Sequence, residues 1–191
     1  MNASELWLIR HGETEWSRSG KHTGRSDIPL TETGALRAEE LRQLLGGKSF
    51  SLVLTSPLSR ARETCRLAGY ADQAQIEPEL SEWDYGVFEG RKTSEIRAEI
   101  PAWSIWTTDV PGGETIEQVA DRADRIIQKA VAAGGDVALF SHGHMLRILT
   151  ACWLGLAPRD ARLFALDTGA ISILGYERET RVMRVWNRRV E

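Results

Sequence analysis

The fold is decided by the stretch Leu6-Trp7-Leu8-Ile9-Arg10-His11-Gly12-Glu13-Thr14, near the start of the chain. Its first four residues form a short apolar run, which is typical of a parallel strand buried on both faces. The next three place a cation, an imidazole and a glycine at the end of that strand. Because glycine lets a ligand approach the backbone closely, we expect a functional site here, with His11 in it.

Two later strands end in a similar way. A second buried strand is expected over residues 50–54 and is followed by Ser56 and Arg60. A third is expected over residues 136–140 and is followed by Ser141-His142-Gly143-His144. The carboxyl ends of parallel strands meet at one edge of a sheet, so these segments bring two histidines and two arginines together. A helix that starts at each crossing adds backbone N–H groups and a positive dipole end. The sequence therefore predicts a positively charged pocket that fits a tetrahedral phosphate.

Helical patterns alternate with the strands, and no two-residue hairpin is apparent. This order predicts an α/β fold: a single doubly wound domain over residues 1–191, with a mostly parallel central sheet and helices on both faces. Residues 12–29 are expected to be loop and turn, and Ser56 is the expected N-cap of a helix that begins at Pro57. Leu36 is expected on the apolar side of the first helix. The expected helices cover residues 31–47, 57–68, 94–106 in pieces broken at Pro101, 115–133 and 144–154, and the remaining strands cover residues 75–80, 171–176 and 182–186.

Some residues near the strand ends have simpler interpretations. Arg62 is expected to face away from the sheet edge. His22 and His144 either line the pocket or form local hydrogen bonds, and we assign neither a catalytic role. No metal is expected, because Arg10 and Arg60 would repel a divalent cation.

Composition narrows the class of protein further. The chain has 191 residues, of which 42% are hydrophobic and 27% charged, and this ordinary globular mixture excludes a mostly disordered, collagen-like or coiled-coil protein. A net charge of -3 argues against a nucleic-acid partner. No secretory signal or membrane-spanning run is apparent, so we expect a cytoplasmic location and no membrane partner. Cys65 and Cys152 are too few for a disulfide framework and are expected to be buried free thiols. A homodimer is compatible with the sequence, which does not fix the oligomeric state.

Six motifs occur in order along most of the chain. They are LIRHGETEW at residues 8–16, TGRSDIPLT at 23–31 with Gly34, TSPLSRARET at 55–64, SEWDYGVFEG at 81–90, GGET at 112–115 and FSHGHMLR at 140–147. Together they resemble the histidine phosphatase superfamily, which includes cofactor-dependent phosphoglycerate mutases and many small-molecule phosphatases. The resemblance covers most of the chain and is specific, because the motifs keep the order of the family.

The resemblance implies a role for each matching position. His11 would be the nucleophile that accepts the phosphoryl group, and Arg10, Arg60 and His142 would hold the phosphate oxygens. Glu82 would be the proton donor, and only the matching motif prefers it to the nearby carboxylates Glu79 and Glu89. We further expect Ser17, Thr23, Gly24, Arg25 and Gly143 to be substrate-binding positions.

The implied chemistry needs neither a metal nor another cofactor. During its transfer the phosphoryl group carries negative charge on three oxygens, which two guanidinium groups and an imidazolium on His142 can offset. Attack requires a neutral His11, and we expect its other nitrogen to bond to a backbone carbonyl. An alkoxide leaving group needs a proton, and the acid that supplies it, Glu82, could then activate water to cleave the phosphohistidine.

Departures from the mutase pattern favour a phosphatase of small phosphorylated substrates. The segment 91–111 is short compared with the basic insertion of the mutases, Trp83 follows Glu82 where they typically have Arg, and Ser17 replaces a common Asn. Residues 16–20 and 82–86 resemble the sugar-bisphosphatase branch, so sugar phosphates are the expected substrates. The alternatives are a cofactor-dependent phosphoglycerate mutase and a non-catalytic phospho-ligand binder. Arg25, with Lys21, either grips a second anionic group of the substrate or is an ordinary exposed arginine.

Overall fold

The computed structural model describes residues 4–189, which contain one six-stranded sheet flanked by helices. The strands are β1 (Leu6–Arg10), β2 (Leu52–Thr55), β3 (Ala74–Ile76), β4 (Val137–Ser141), β5 (Ile171–Glu177) and β6 (Thr180–Arg188). The α-helices are α1 (Glu15–Ser19), α2 (Glu32–Leu45), α3 (Ser59–Leu67), α4 (Thr93–Glu99), α5 (Ile116–Ala132) and α6 (Gly143–Trp153).

The sheet has the strand order β3-β2-β4-β1-β5-β6. Strands β3, β2, β4 and β1 are parallel to one another, whereas β5 is antiparallel to β1 and β6 is antiparallel to β5. The predicted mostly parallel sheet is therefore confirmed. Because β4 lies between β2 and β1, the three strands with polar residues at their ends are direct neighbours.

Helices cover both faces of the sheet, as the doubly wound prediction requires. Successive strand residues alternate between the faces, so that Leu8 belongs to one apolar cluster and Ile9 to the other. Helices α5 and α6 supply the first cluster, and α2 and α3 supply the second. Both surfaces of the central strands are thereby buried, which explains why these strands are almost wholly apolar.

Two local predictions around the site are wrong. The expected loop over residues 12–29 contains α1, because the Thr14 hydroxyl accepts the Ser17 N–H and the Ser17 hydroxyl accepts the Thr14 N–H in a capping box. Helix α3 begins at Ser59 rather than at Pro57, and its N-cap is Leu58. Ser56 is fully buried, and its hydroxyl bonds to the Leu58 N–H and to His142.

Other element boundaries also differ from the prediction. The strand expected over residues 75–80 ends at Ile76, and a 3₁₀ turn occupies Pro78–Leu80. Phe50 is buried but precedes β2, and residues 94–106 hold the single helix α4 followed by turns. Leu36 is 56% exposed instead of facing the core.

The carboxyl-terminal strands contain the hairpin that was not predicted. Arg178 and Glu179 connect β5 to β6, with Glu177 paired to Thr180. Arg178 has a φ of 54°, a conformation usually taken by Gly, Asn or Asp in such turns, so the sequence lacks the usual hairpin signal. Of the two cysteines, Cys65 is buried as expected, and Cys152 is half-buried.

Candidate active site

The residues that follow β1, β2 and β4 meet at one edge of the sheet. Arg10 pairs with Ser141 at the last position of the β1–β4 register, so the next residues, His11 and His142, lie side by side. Their ring centroids are 5.2 Å apart. Arg60 reaches the same place from the first turn of α3, where its Nε lies 3.2 Å from Nδ1 of His142.

His11 is held in a single tautomer. Its Nδ1 lies 2.7 Å from the carbonyl oxygen of Gly12, which can only accept, so Nδ1 carries the proton. Nε2 therefore has a free lone pair, and the ring lines a cavity. Burial, together with the charges of Arg10 and Arg60, lowers the pKa of His11 well below the usual value of an imidazole. A neutral His11 bonded to a backbone carbonyl is the arrangement that the sequence analysis expected.

Arg10 presents an unpartnered donor to the same region. One of its terminal nitrogens donates to the carbonyl oxygen of Leu166, whereas its Nε is buried and has no hydrogen-bond partner within residues 4–189. Gly143 makes room for this guanidinium, because a Cβ at that position would lie only 3.2 Å from Cζ of Arg10. Gly143 thus acts by shaping the position of Arg10, and it does not line the cavity itself.

His142 is neutral, which differs from the expected imidazolium. Arg60 Nε–H donates to its Nδ1, so Nδ1 carries no proton, and Nε2–H donates to the Ser56 hydroxyl at 2.7 Å. Burial and the charge of Arg60 also lower the pKa of His142 well below its usual value. Protonation of Nδ1 would place two donors against each other, so the ring acts here as an acceptor that orients Arg60.

Arg60 is fully buried and connects the loop of residues 23–26 to the edge of the sheet. Its Nη1 donates to the carbonyl oxygen of Ser26, and its Nη2 donates to those of Thr23 and Gly24. With the bond to His142, four of its five N–H groups are used, and one on Nη1 is left for another acceptor. Arg62, two residues later, is exposed, as predicted.

Glu82 is held by three backbone donors. Its Oε1 accepts the N–H groups of Trp83 and Met145 at 3.0 Å and 2.9 Å, and its Oε2 accepts that of His144 at 3.0 Å. Two of these donors belong to the first turn of α6, so the carboxylate occupies the helix N-terminus. The N–H of Ser59 at the start of α3 is likewise taken by Asp27. These N–H groups, which the sequence analysis expected to face phosphate, are therefore occupied by carboxylates.

Arg10 and His11, at the end of β1, border a cavity of about 190 Å³ together with Glu82 and His144. Arg60 and His142 lie beside these residues but are not among those that line the cavity. Two predicted substrate-binding residues, Ser17 and Thr23, line it. Gly24 does not line this cavity, and its carbonyl oxygen accepts a hydrogen bond from Arg60. A Cβ at position 24 would lie 2.4 Å from the carbonyl oxygen of Trp83. A larger cavity of about 640 Å³, beside α3 and β3, is not lined by any of the predicted catalytic residues Arg10, His11, Arg60, Glu82 and His142. The full lining of the 190 Å³ cavity is Arg10, His11, Ser17, Gly20, Lys21, His22, Thr23, Glu82, Tyr85 and His144.

Arg25 lies outside this cavity. Its guanidinium is 3.7 Å from Asp84 and 3.6 Å from Glu114, and the side chain is half-exposed. The geometry gives no support to the expected contact between Arg25 and a substrate anion. Lys21, which was considered together with Arg25, does line the cavity.

Aromatic and histidine side chains close one wall of the cavity. The Tyr85 hydroxyl is hydrogen-bonded to Nδ1 of His144 at 2.6 Å, and that nitrogen lies 4.0 Å from Oε2 of Glu82. His22 packs against the rings of Tyr85 and Trp103. Burial lowers the pKa of His22 to about 4, and burial with the nearby charge of Arg147 lowers that of His144 well below the usual value. Tyr85 was missed by the sequence analysis, although it lies inside the motif that contains Glu82.

The chain belongs to the histidine phosphatase superfamily, branch 1, whose sequence pattern it matches over residues 6–189. An acid phosphatase from Mycobacterium tuberculosis is 40% identical over 184 residues, which cover 94% of this chain and 90% of that protein. Sedoheptulose 1,7-bisphosphatase from Saccharomyces cerevisiae is 35% identical over 182 residues, which cover 78% of this chain and 67% of that protein. A solved structure of the open reading frame Rv3214 from Mycobacterium tuberculosis superposes with a TM-score of 0.92 and 39% identity, covering 97% of this chain and 98% of the other.

Proteins named as probable phosphoglycerate mutases are also similar, at 28% to 30% identity. The relatives therefore include phosphatases and mutases, which supports the prediction that the chain is an enzyme. No helix within residues 4–189 is long and apolar enough to cross a bilayer. The same residues contain no group of three or more His, Cys, Asp and Glu side chains arranged for a metal ion, and the expected independence from metal stays a prediction.

Proposed function

We propose that this protein is a metal-independent phosphomonoesterase that hydrolyses small phosphorylated metabolites through a phosphohistidine at His11. The observation that carries the proposal is the neutral His11, whose Nε2 is unprotonated and whose ring lines a cavity together with Arg10, the Nε–H of which has no partner within residues 4–189. A nucleophile and a buried cationic donor next to each other fit a phosphate ester. The similarity to an acid phosphatase supports hydrolysis of a phosphate ester, and the similarity to sedoheptulose 1,7-bisphosphatase supports sugar phosphates as the substrate class.

In the first step His11 attacks phosphorus. A bond forms between Nε2 and phosphorus, the bond from phosphorus to the ester oxygen breaks, and Glu82 gives its proton to the departing oxygen. The bond from Nδ1–H to the carbonyl oxygen of Gly12 holds the proton on Nδ1, so that the Nε2 lone pair is available to form the bond to phosphorus. Nε of Arg10 and the remaining Nη1–H of Arg60 donate to the phosphoryl oxygens, where charge builds up.

In the second step water removes the phosphoryl group from His11. The Glu82 carboxylate takes a proton from the water, the oxygen of which bonds to phosphorus as the bond to Nε2 breaks. Inorganic phosphate leaves, His11 is again neutral, and Glu82 again carries its proton. The competing carboxylates Glu79 and Glu89 are engaged elsewhere, with Arg125 and with the N–H groups of the loop at Gly24 and Ser26 respectively.

The nucleophile is tested by trapping the intermediate. Wild-type protein mixed with ³²P-labelled ester and quenched in denaturing base should retain label that is lost in acid, the behaviour of phosphohistidine. His11→Ala should retain none, whereas His22→Ala, a matched change in the same cavity, should still be labelled. Label on the His11→Ala protein would reject His11 as the nucleophile.

The mutase alternative is tested in the same preparation. A mutase must retain its phosphorylated intermediate, and the residues where its basic pair is sought include Trp106, whose ring packs against Trp83 and His144. We expect release of inorganic phosphate to exceed interconversion of 2- and 3-phosphoglycerate. Faster interconversion than release would favour the mutase, and failure to label or hydrolyse any ester would favour a phospho-ligand binder.

A further inference from the structure

Lys21 is held at the rim of the catalytic cavity by backbone contacts. Its N–H donates to the carbonyl oxygen of Trp16 at 2.9 Å, and its backbone forms an antiparallel bridge with Lys92. The ammonium group lies 5.4 Å from the centre of the Trp16 ring. That ring fits only because residue 90 is glycine, since a Cβ there would approach it to 2.9 Å. The side chain therefore starts from a fixed point and lies along an aromatic surface.

Within residues 4–189, the charge of Lys21 has no carboxylate partner. Lys21 takes part in none of the ion pairs formed within residues 4–189, whereas the nearby Arg25 lies close to Asp84 and Glu114. The one carboxylate that lines the cavity, Glu82, is already held by three N–H groups. Lys21 is thus a cation at the cavity mouth that is free to meet an anion from solution.

We propose that Lys21 selects phosphate esters that carry a second anionic group, a carboxylate or another phosphate, a few bonds from the ester. This inference rests on the proposed function, which places the transferred phosphate against His11 and Arg10. The second group must be close, because the cavity of about 190 Å³ is smaller than the ~300–1,000 Å³ of typical ligand sites. An ammonium group suits this task, since it is a point charge that accepts carboxylate and phosphate alike.

Two three-carbon substrates isolate this contact. Glycerol 3-phosphate and 3-phosphoglycerate have the same phosphate ester and the same middle hydroxyl group. They differ at the other end, where glycerol 3-phosphate has an alcohol and 3-phosphoglycerate has a carboxylate. Wild-type protein should prefer 3-phosphoglycerate, measured as kcat/KM for each compound and as competitive inhibition of p-nitrophenyl phosphate hydrolysis. Lys21→Met keeps the stem over Trp16 and should reduce this preference about tenfold, the worth of one charged hydrogen bond. Lys21→Arg should retain most of the preference.

Arg25→Met is the matched control, because it removes a cation from the same loop outside the cavity. It should change the preference less than twofold. An equal loss on both compounds in Lys21→Met would assign Lys21 to the transferred phosphate and overturn the inference, as would an unchanged preference. If wild-type protein hydrolyses no ester, the proposed function fails, and calorimetric binding of the two compounds to wild type and Lys21→Met still decides the role of Lys21.

Discussion

Glu82→Gln removes the proposed proton donor, and the structure shows that it does more. The two carboxylate oxygens accept three backbone N–H groups, from Trp83, His144 and Met145. An amide has one oxygen, so its NH₂ group must face at least one of these donors in either orientation. The unsatisfied donor costs roughly 1–3 kcal/mol, and the cost is the same whichever substrate is bound. A simple comparison of rates between wild type and variant would therefore mix two effects.

The basicity of the leaving group separates the loss of the proton donor from the structural cost of the amide. A sugar alkoxide is strongly basic and needs the proton, so loss of the acid should slow its departure ~10²–10⁴-fold. A nitrophenolate leaves almost as well without a proton. Because the structural cost of the amide is common to both substrates, it cancels in the ratio of the two losses. The loss on a sugar phosphate divided by the loss on p-nitrophenyl phosphate should therefore be close to the ~10²–10⁴-fold contribution of the proton donor.

The assay is a rapid-quench measurement of the burst in which His11 is phosphorylated. Steady-state rates are unsuitable, because Glu82 is also proposed to assist hydrolysis of the phosphohistidine. Glu89→Gln serves as the control, since Glu89 also accepts backbone N–H groups, from Gly24 and Ser26, but does not line the cavity. If the burst on a sugar phosphate and on p-nitrophenyl phosphate falls by the same factor in Glu82→Gln, Glu82 is not the acid.

Three further predictions follow from the site. The pKa values of the four histidines are all lowered, so the unfolded chain binds more protons than the folded one below pH ~6.5. The free energy of unfolding, measured in urea, should therefore be level between pH ~7 and ~8 and should fall on acidification below pH ~6.5 by up to ~1.4 kcal/mol per pH unit per histidine. His22→Asn should make this slope shallower between pH 6.5 and 4, and a stability that rises on acidification would contradict the assignment. Gly143→Ala should push Arg10 aside and lower kcat/KM ~10–100-fold with little change in melting temperature, and wild-type kinetics would show that Arg10 tolerates the added methyl group. Dialysis against a chelator should leave activity unchanged, and a loss reversed specifically by zinc or magnesium would overturn the metal-independent mechanism.

The strand-end part of the site could be predicted from the sequence because simple rules govern it. Buried parallel strands are visible as apolar runs, and the carboxyl ends of neighbouring strands lie at one edge of the sheet. That reasoning brings His11, His142 and Arg60 together without knowledge of any contact. The same reasoning does not predict the protonation state of His142. The ring is neutral because Arg60 Nε–H donates to its Nδ1, and a sequence does not show from which direction that donor approaches.

Loop residues were harder to place. Glu82 follows a 3₁₀ turn, has no periodic pattern around it and was identified only through the resemblance to a family. Arg25 and Lys21 are four residues apart in a polar segment, and the sequence does not show that α1 and the bridge to Lys92 turn one towards the cavity and leave the other outside. The hairpin at Arg178 escaped prediction for a related reason, since the usual turn residues are absent.

The path of the loop around Gly24 is fixed by its backbone and not by the side chains that it carries. Arg60 holds the carbonyl groups of Thr23, Gly24 and Ser26, and Glu89 holds the N–H groups of Gly24 and Ser26. The backbone is thus fixed from both sides by residues that need not touch the variable part of a substrate. Side chains at positions 21 and 23 can then be exchanged by mutation while the loop keeps its path. Substrate preference can evolve here by single substitutions, without the insertions or refolding that a mobile loop would require.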